Sequence, residues 1–376
     1  MNNIEKLNNA LQQVKNAYID KNLIVDLLGI GLLSRENAFL LGPPGTAKSA
    51  IVRSLSLHIE EGKNFEYLLT RFTEPNEIFG PFDIRKLKEG ELVTNTEGML
   101  PEASLVFLDE IFNANSAILN SLLMALNEKI FRRGKETRKL PALMFVGASN
   151  QMPEDEALNA LLDRFLIRVQ CDYVHPDKLS HVLLAGWNLE NKQYEIQSKI
   201  KASEIEELQK ECRKVDLSPV IKPYIDLIHS IRNIGIKISD RRAVKIQNLI
   251  AASAMICNRN TAILSDLWVL KYVWDTEEQI ELLEGMVNAV IEEDQSASMH
   301  PQAFVNHTPD PEVLMKEVLW LDEEWDKENI NLEAKNIIKD KLRFVQTRCE
   351  WINNQEQKHY IQIELDKLWK KILMSS

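Results

Sequence analysis

The sequence predicts an α/β fold: a parallel sheet covered by helices on both faces, followed by an all-helical region and a helical C-terminal extension. Three observations carry this. Five short apolar runs alternate with helical segments in the first half of the chain, a glycine-rich loop joins the first run to a helix, and helical periodicity alone continues from about residue 175. Strands separated by helices need crossover connections, and crossovers give parallel strands with helices on each side.

Taken in order, Ile4, Leu7, Leu11, Val14 and Tyr18 share one helical stripe, and a second helical run through Ile24, Val25, Leu27 and Leu28 leads to the first strand. That second helix is expected to wall a base pocket. The first strand is the apolar run 37–41, and the helix after the glycine-rich loop continues through Ala50, Ile51, Val52 and 55–59. Strands two to five are expected at 65–70, 104–109, 143–148 and 166–169. Two hairpins interrupt the alternation, one at 82–95 turning at Glu89-Gly90 and one at 130–139 turning at Gly134. Helices are expected at 176–186, 203–214, 218–234, 240–257, 263–272 and 276–292. Residues 294–312 are polar and punctuated by proline, as in a linker. Beyond it Ala334, Ile338, Leu342, Val345, Cys349 and Ile352 form one stripe and Leu365, Leu368, Trp369 and Ile372 another, so the tail is expected to pack as a small bundle. The expected domains are a sheet-and-helix core at 1–190, an all-helical region at 191–293 and a linker with helical extension at 294–376.

The chemistry centres on Gly42, Pro43, Pro44, Gly45, Thr46, Ala47, Lys48, Ser49 and Ala50, a loop between strand and helix. Such a loop turns backbone N–H groups onto phosphate oxygens, and the helix N-terminus adds partial positive charge. Lys48 is placed to reach the outer phosphates and Ser49 to ligate Mg²⁺, the pattern of an ATP site. Ala47 stands where this loop has its second glycine, and its Cβ is expected to force a negative φ. Ser104-Leu105-Val106-Phe107-Leu108-Asp109-Glu110 is a strand-like run ending in two acids. At the carboxyl edge beside the loop, Asp109 is expected to hold the cation through water and Glu110 to polarise the attacking water.

Composition excludes several classes. The chain has 376 residues, enough for two or three domains, and 45 basic against 56 acidic residues give a net charge of −11, so no general attraction to nucleic acid or anionic membrane is expected. No apolar run approaches the length needed to cross a bilayer, and the first residues lack the apolar core of a secretion signal, so a cytoplasmic location is the expectation. Cys171, Cys212, Cys257 and Cys349 are widely spaced and the seven histidines form no ligand pattern, which supports neither disulfides nor a zinc site.

Taken together, the stretches 41–49 (LGPPGTAKS), 70–81 (TRFTEPNEIFGP), 100–103 (LPEA), 106–111 (VFLDEI), 148–150 (ASN) and 163–165 (DRF) resemble the MoxR family of AAA+ ATPases, with the RavA branch the nearest likeness. Alanine before Lys48 is usual in that family. The resemblance implies that Asn150 is a sensor positioning the lytic water. It also implies that Arg164 is an arginine finger reaching a neighbouring subunit's γ-phosphate, and that Arg241, or its rival Arg242, is a second sensor in the lid touching the nucleotide. The residues by themselves also fit an asparagine turn, a surface ion pair of Arg164 with Asp163 or Glu154, and an N-capped helix with solvated arginines. A finger donated between subunits demands a head-to-tail ring, and the resemblance implies a hexamer and a von Willebrand factor A-type partner. Asn113 stands where many relatives carry Arg or Lys, and the tail lacks the β-rich module of the RavA branch, so that branch's lysine-decarboxylase partner is not transferred.

Three activities follow as expectations: a ring ATPase that remodels or matures proteins, a nucleic-acid motor gripping phosphates with Lys129, Arg132, Arg133, Lys135, Arg138 and Lys139, and a nucleotide-gated scaffold with little turnover. The acidic balance disfavours the second and the acid, asparagine and arginine set disfavours the third.

Overall fold

The computed structural model describes residues 2–133, 136–153, 155–174, 176–191, 196–294, 296, 298–303, 311–326, 335, 338–339, 341–343, 345–346, 349 and 355–374. They form two compact units, 1–303 and 304–376.

The first unit opens with helices α1 (Asn3–Ala17) and α2 (Asn22–Ser34) and holds a five-stranded sheet. Its strands are β1 (Ala38–Leu41), β2 (Asn64–Leu68), β3 (Leu105–Asp109), β6 (Met144–Ser149) and β7 (Ile167–Gln170). A separate antiparallel hairpin consists of β4 (Ile130–Arg133) and β5 (Glu136–Lys139). The sheet order is β2-β3-β6-β1-β7, and every pair is parallel. All four residues of β1 are buried, which is why a central strand reads as an unbroken apolar run. Because β1 lies between β6 and β7 and not beside its sequence neighbour β2, its carboxyl end opens at a topological switch point, where sheets of this kind bind ligands. Helices α3 (Lys48–Leu57), α4 (Ser116–Glu128) and α5 (Glu156–Leu162) make the crossovers, and the exposed helix α6 (Leu179–Glu190) follows β7.

Next come α7 (Ala202–Cys212), α8 (Ile221–Asn233), α9 (Asp240–Ile256), a 3₁₀ stretch Leu264–Tyr272 and α10 (Glu278–Ile291), in the helical segments that periodicity predicts. Ser239 caps α9 by accepting from the Arg242 N–H at 3.2 Å. The unit ends inside the segment expected to be a linker, and the first part of that segment is packed: His300, Gln302 and Ala303 are buried, and Lys271 Nζ donates to the Ala303 carbonyl at 2.9 Å. Among the described residues no helix is long and apolar enough to cross a membrane.

The expected hairpin at 82–95 is a short helix, Ile84–Lys88, closed by one antiparallel bridge between Phe82 and Thr94. The Asp83 side chain accepts from the N–H groups of Arg85 and Lys86 and starts the helix. Ile84, Leu87 and Leu92 are exposed, so no buried face exists to impose a strand register. The turn at Glu89-Gly90 is present, with Gly90 at φ +87°. In the second hairpin Arg133 pairs with Glu136, and Gly134 lies outside the described residues.

The second unit contains α11 (Pro311–Trp325) and α12 (Gln355–Met374). Ile338, Leu342, Val345 and Cys349 share a core there with Leu314, Val318, Leu321, Leu365, Leu368 and Ile372, so the two stripes pack as the sequence implies. Ala334 and Ile352 lie outside the described residues.

Candidate active site

The loop after β1 is held tightly to the sheet. The Gly42 N–H donates to the Ser149 carbonyl at 3.1 Å, and a Cβ on Gly42 would lie 2.2 Å from the Cys171 carbonyl oxygen, so only glycine fits between β6 and β7. Gly45 takes a left-handed φ of +85° with open space around it. Thr46 Oγ1 donates to the Pro43 carbonyl at 3.0 Å. Ala47 corrects the sequence expectation. Its φ is +68° and not negative, so it adopts the left-handed conformation that the missing glycine would take, at a strain of about 1–2 kcal/mol. Half-burial against the core holds it there.

Lys48 and Ser49 open α3. The Lys48 ammonium is buried and donates to the carbonyls of Gly42 (2.5 Å) and Pro43 (2.9 Å) and to Asn150 Oδ1 (3.3 Å). Ser49 Oγ donates to Asp109 Oδ2 at 3.2 Å, which joins the loop to the end of β3. Glu110 follows in a left-handed conformation, φ +50° and ψ 47°, with its N–H donating to Asp109 Oδ1 at 3.0 Å. Asn150, just past β6, donates through Nδ2 to Glu110 Oε1 at 2.5 Å. Burial, then the neighbouring Asp109 carboxylate, raises the Glu110 pKa above the ordinary glutamate range, against a smaller pull downward from Lys48 and Asn150. Lys48, Ser49, Asp109, Glu110 and Asn150 therefore form one hydrogen-bonded constellation along the carboxyl edge. Two further residues bond the phosphate loop without a sequence signal, Tyr18 donating to the Ala50 carbonyl at 3.0 Å and Tyr173 to the Pro44 carbonyl at 3.2 Å, and Lys21 donates to the Asp172 carbonyl at 2.5 Å. Helix α2, expected to wall a base pocket, is buried from Ile24 to Ser34.

The arginines lie elsewhere. Asn37, before β1, donates through Nδ2 to the Arg164 carbonyl at 3.0 Å, so Arg164 stands at the amino edge of the sheet. Its guanidinium pairs with Asp163 at 2.7 Å, the local ion pair the sequence allows, and its buried Nε has no hydrogen-bond partner. Glu154 lies outside the described residues. Arg241 donates to Asn127 Oδ1 at 3.1 Å, and Arg164, Arg241, Arg242, Lys245, Asn127 and Ser239 line one crevice. Arg242 is committed inward: it is buried, donates to Asp275 Oδ1 at 2.6 Å and to the Val273 carbonyl, and shares Asp275 with the buried Arg168. Five residue steps along β1 separate Asn37 from Gly42, roughly 16 Å.

The basic hairpin is largely bonded internally. Lys129 Nζ is buried and donates to the carbonyls of Ala142 and Leu143, and burial lowers its pKa to about 7. Arg133 donates to the Gly80 carbonyl and to Asn76 and stacks over Phe82 with 3.9 Å to the ring centroid, and Arg138 pairs with Glu136. Of the six, Arg132 and Lys139 are exposed without such bonds, and Lys135 lies outside the described residues.

Residues 5–210 match the family model described as the MoxR domain in the MoxR-vWA-beta-propeller ternary systems, and residues 220–287 match an AAA lid domain. Two uncharacterized proteins of Methanocaldococcus jannaschii are similar: one is 33% identical over 286 residues, 76% of this chain and 74% of that protein. The other is 35% identical over 268 residues, 71% of this chain and 70% of that one. The chaperone MoxR1 of Mycobacterium tuberculosis is 26% identical over 184 residues, 48% of each chain. A crystal structure from Cytophaga hutchinsonii superposes with a TM-score of 0.62 over 77% of this chain and 94% of that one, at 19% identity, a likeness of fold. The chain belongs to the MoxR family of AAA+ ATPases.

Proposed function

We propose that this chain hydrolyses ATP with Mg²⁺ in a head-to-tail ring, a hexamer by family resemblance, and that the turnover remodels or matures a protein target together with a von Willebrand factor A-type partner. One observation supports the ring above all: the phosphate loop and its acids occupy one edge of the sheet while Arg164 and Arg241 occupy the other, roughly 16 Å away, so a complete site needs two copies of the chain.

The residues present fit a magnesium nucleotide. Ser49 and Asp109 offer hard oxygen ligands at 3.2 Å from each other, and the Lys48 ammonium is held by the loop carbonyls of Gly42 and Pro43. Bound Mg-ATP would supply the phosphoanhydride to be cleaved and a cation to offset its charge. Lys48 and the loop 42–50 would hold phosphate oxygens, and Ser49 with Asp109 would hold the cation, the latter through water. Glu110 accepts the proton of the attacking water at its carboxylate, a role its raised pKa favours, and Asn150 fixes that carboxylate through Oε1. Arg164 and Arg241 of the next subunit neutralise charge that develops in the transition state. Arg241 is the second sensor in this reading, because Arg242 is spent on Asp275.

The partner proposal follows the matched family model, which is named for systems containing a von Willebrand factor A protein and a β-propeller. Placement in the RavA branch rests on motif wording alone. In this reading hydrolysis moves the lid 191–293 against the core 1–190 and so the inserted hairpins, with 294–376 as linker and helical extension. The internal bonds of Lys129, Arg133 and Arg138 weigh against a nucleic-acid motor. Steady-state hydrolysis tests the reading: the wild type turns over ATP while Lys48→Ala and Glu110→Gln do not, and equal rates in all three remove the assigned mechanism.

A further inference from the structure

Between the end of α2 and the first residue of β1 the chain carries two polar residues where their surroundings are apolar: Glu36 is 6% exposed and Asn37 2%. Arg35 ends α2 in a left-handed conformation, φ +62°, and the Glu36 N–H donates back to the Gly31 carbonyl at 3.0 Å, so the chain turns sharply into the strand at the amino edge of the sheet. A buried carboxylate and a buried amide are tolerated only when their polar atoms are bonded, so the partners of these two side chains show what holds them there.

Asn37 bonds three backbone groups. Its Oδ1 accepts from the Phe145 N–H on β6 at 3.3 Å, and its Nδ2 donates to the carbonyls of Arg164 at 3.0 Å and of Leu126 at 3.4 Å. Leu126 precedes Asn127 on α4, and Asn127 Oδ1 accepts from Arg241 at 3.1 Å. Glu36 bonds α9: its Oε2 accepts from the Lys245 ammonium at 2.7 Å and its Oε1 from the Asn248 amide at 3.4 Å. Lys245 stands one helical turn after Arg241, on the same face. Arg164 and Arg241 thus come from distant parts of the chain, yet both are tied to one dipeptide. The Arg164 side chain has little else to fix it, with Asp163 on one side and an unpartnered Nε on the other, so its backbone anchor decides where it stands.

We propose that Glu36 and Asn37 are positioning residues that set Arg164 and Arg241 in register with each other, so that both reach one nucleotide held by a neighbouring copy. The inference rests on the ring ATPase reading above and deepens it. Both residues lie at the amino end of β1, at the far end of the strand from their own Gly42, so changing them leaves that chain's phosphate loop in place. A reacting group displaced by about 1 Å costs roughly 10²-fold in rate, which sets the size of the expected effect.

The test uses the full chain with Glu36→Ala, Glu36→Gln and Asn37→Ala. The Lys245 side chain is 34% exposed, so without Glu36 its ammonium turns to water and the fold survives, while glutamine keeps an oxygen for it. Steady-state hydrolysis, binding of a fluorescent ATP analogue and thermal unfolding are measured. Both alanine variants are expected to keep wild-type KM and analogue affinity and to lose kcat by roughly 10²-fold, and Glu36→Gln to restore most of it. Mixed in equal amounts with Lys48→Ala, whose arginines are intact, each alanine variant recovers about a quarter of the wild-type rate; mixed with Arg164→Ala, neither recovers. If Asn37→Ala does not fold, Glu36→Ala and its glutamine rescue decide. Wild-type kcat in the variants, recovery with Arg164→Ala, or recovery with neither partner overturns the positioning role. The mixture of Lys48→Ala with Arg164→Ala is the control: its recovery confines such a failure to Glu36 and Asn37, and its failure to recover overturns the shared site and this inference with it.

Discussion

Gly42 and Gly45 lie in the same loop, yet an added methyl meets opposite circumstances at the two positions. At Gly45 nothing lies within 4 Å, so Gly45→Ala is charged only for its left-handed φ of +85°. That strain is about 1–2 kcal/mol, and the reduced freedom of the unfolded chain returns about 0.4–1 kcal/mol, leaving a net loss of about 1 kcal/mol. At Gly42 the new Cβ would sit 2.2 Å from the Cys171 carbonyl oxygen, over 1 Å inside ordinary contact. The obstacle is backbone, at the seam where the Cys171 N–H donates to Leu41 at 2.6 Å and the Gly42 N–H to Ser149 at 3.1 Å. Opening that seam combines overpacking of about 1–3 kcal/mol with one or two weakened hydrogen bonds of about 1 kcal/mol each, so Gly42→Ala loses about 3–4 kcal/mol. Urea unfolding of both variants reads the difference, which is expected to be about 2 kcal/mol or more. Equal losses, or a larger loss at Gly45, would refute the placement of Gly42 against β7.

Two further results follow from the site. Because burial and Asp109 raise the Glu110 pKa, the acid limb of the kcat–pH profile is expected above the ordinary glutamate range: the carboxylate is lost as pH falls through the raised pKa, and the rate falls with it. Asn150→Ala removes one of the influences that lower that pKa and is expected to move the limb to higher pH, whereas an unmoved limb would detach Asn150 from Glu110. Arg242→Ala removes one of the two guanidinium groups on Asp275 together with its bond to the Val273 carbonyl, while Arg168 keeps Asp275 paired, and is expected to destabilise the protein by about 2 kcal/mol. Arg241→Ala is expected to leave unfolding nearly unchanged and to lower hydrolysis; the reverse pattern would exchange their roles.

Most of the sheet was legible because its strands are buried on both sides: β1, β3 and β6 are apolar runs whose ends differ from the expected ones by a residue. The phosphate loop and the Asp109-Glu110 pair were legible for the related reason that their chemistry ties particular residue types to a strand end. What was not legible depends on contacts remote in sequence. Nothing in the spacing says that Arg164 and Arg241 share a crevice, or that Asn127 holds one of them. Ala47 was misread because alanine is a poor reporter of left-handed backbone; its φ is imposed by the loop and not by its own preference. The 82–95 segment was misread because its apolar residues, although spaced like a strand, face solvent, and a single aspartate cap was enough to wind them into a turn of helix. In α6 the sequence pattern did identify a helix, but periodicity cannot distinguish a face covered by its own chain from one left open.

The central claim is that Lys48 and Arg164 of one subunit serve different sites. Lys48→Ala and Arg164→Ala are each expected to be inactive alone. Mixed in equal amounts and allowed to reassemble, they should place an intact loop against an intact arginine at about one site in four and recover about a quarter of the wild-type rate, if assembly is random and each site acts independently. A mixture that stays as inactive as its components would show that the two residues act within one subunit, and would contradict a site shared between neighbours.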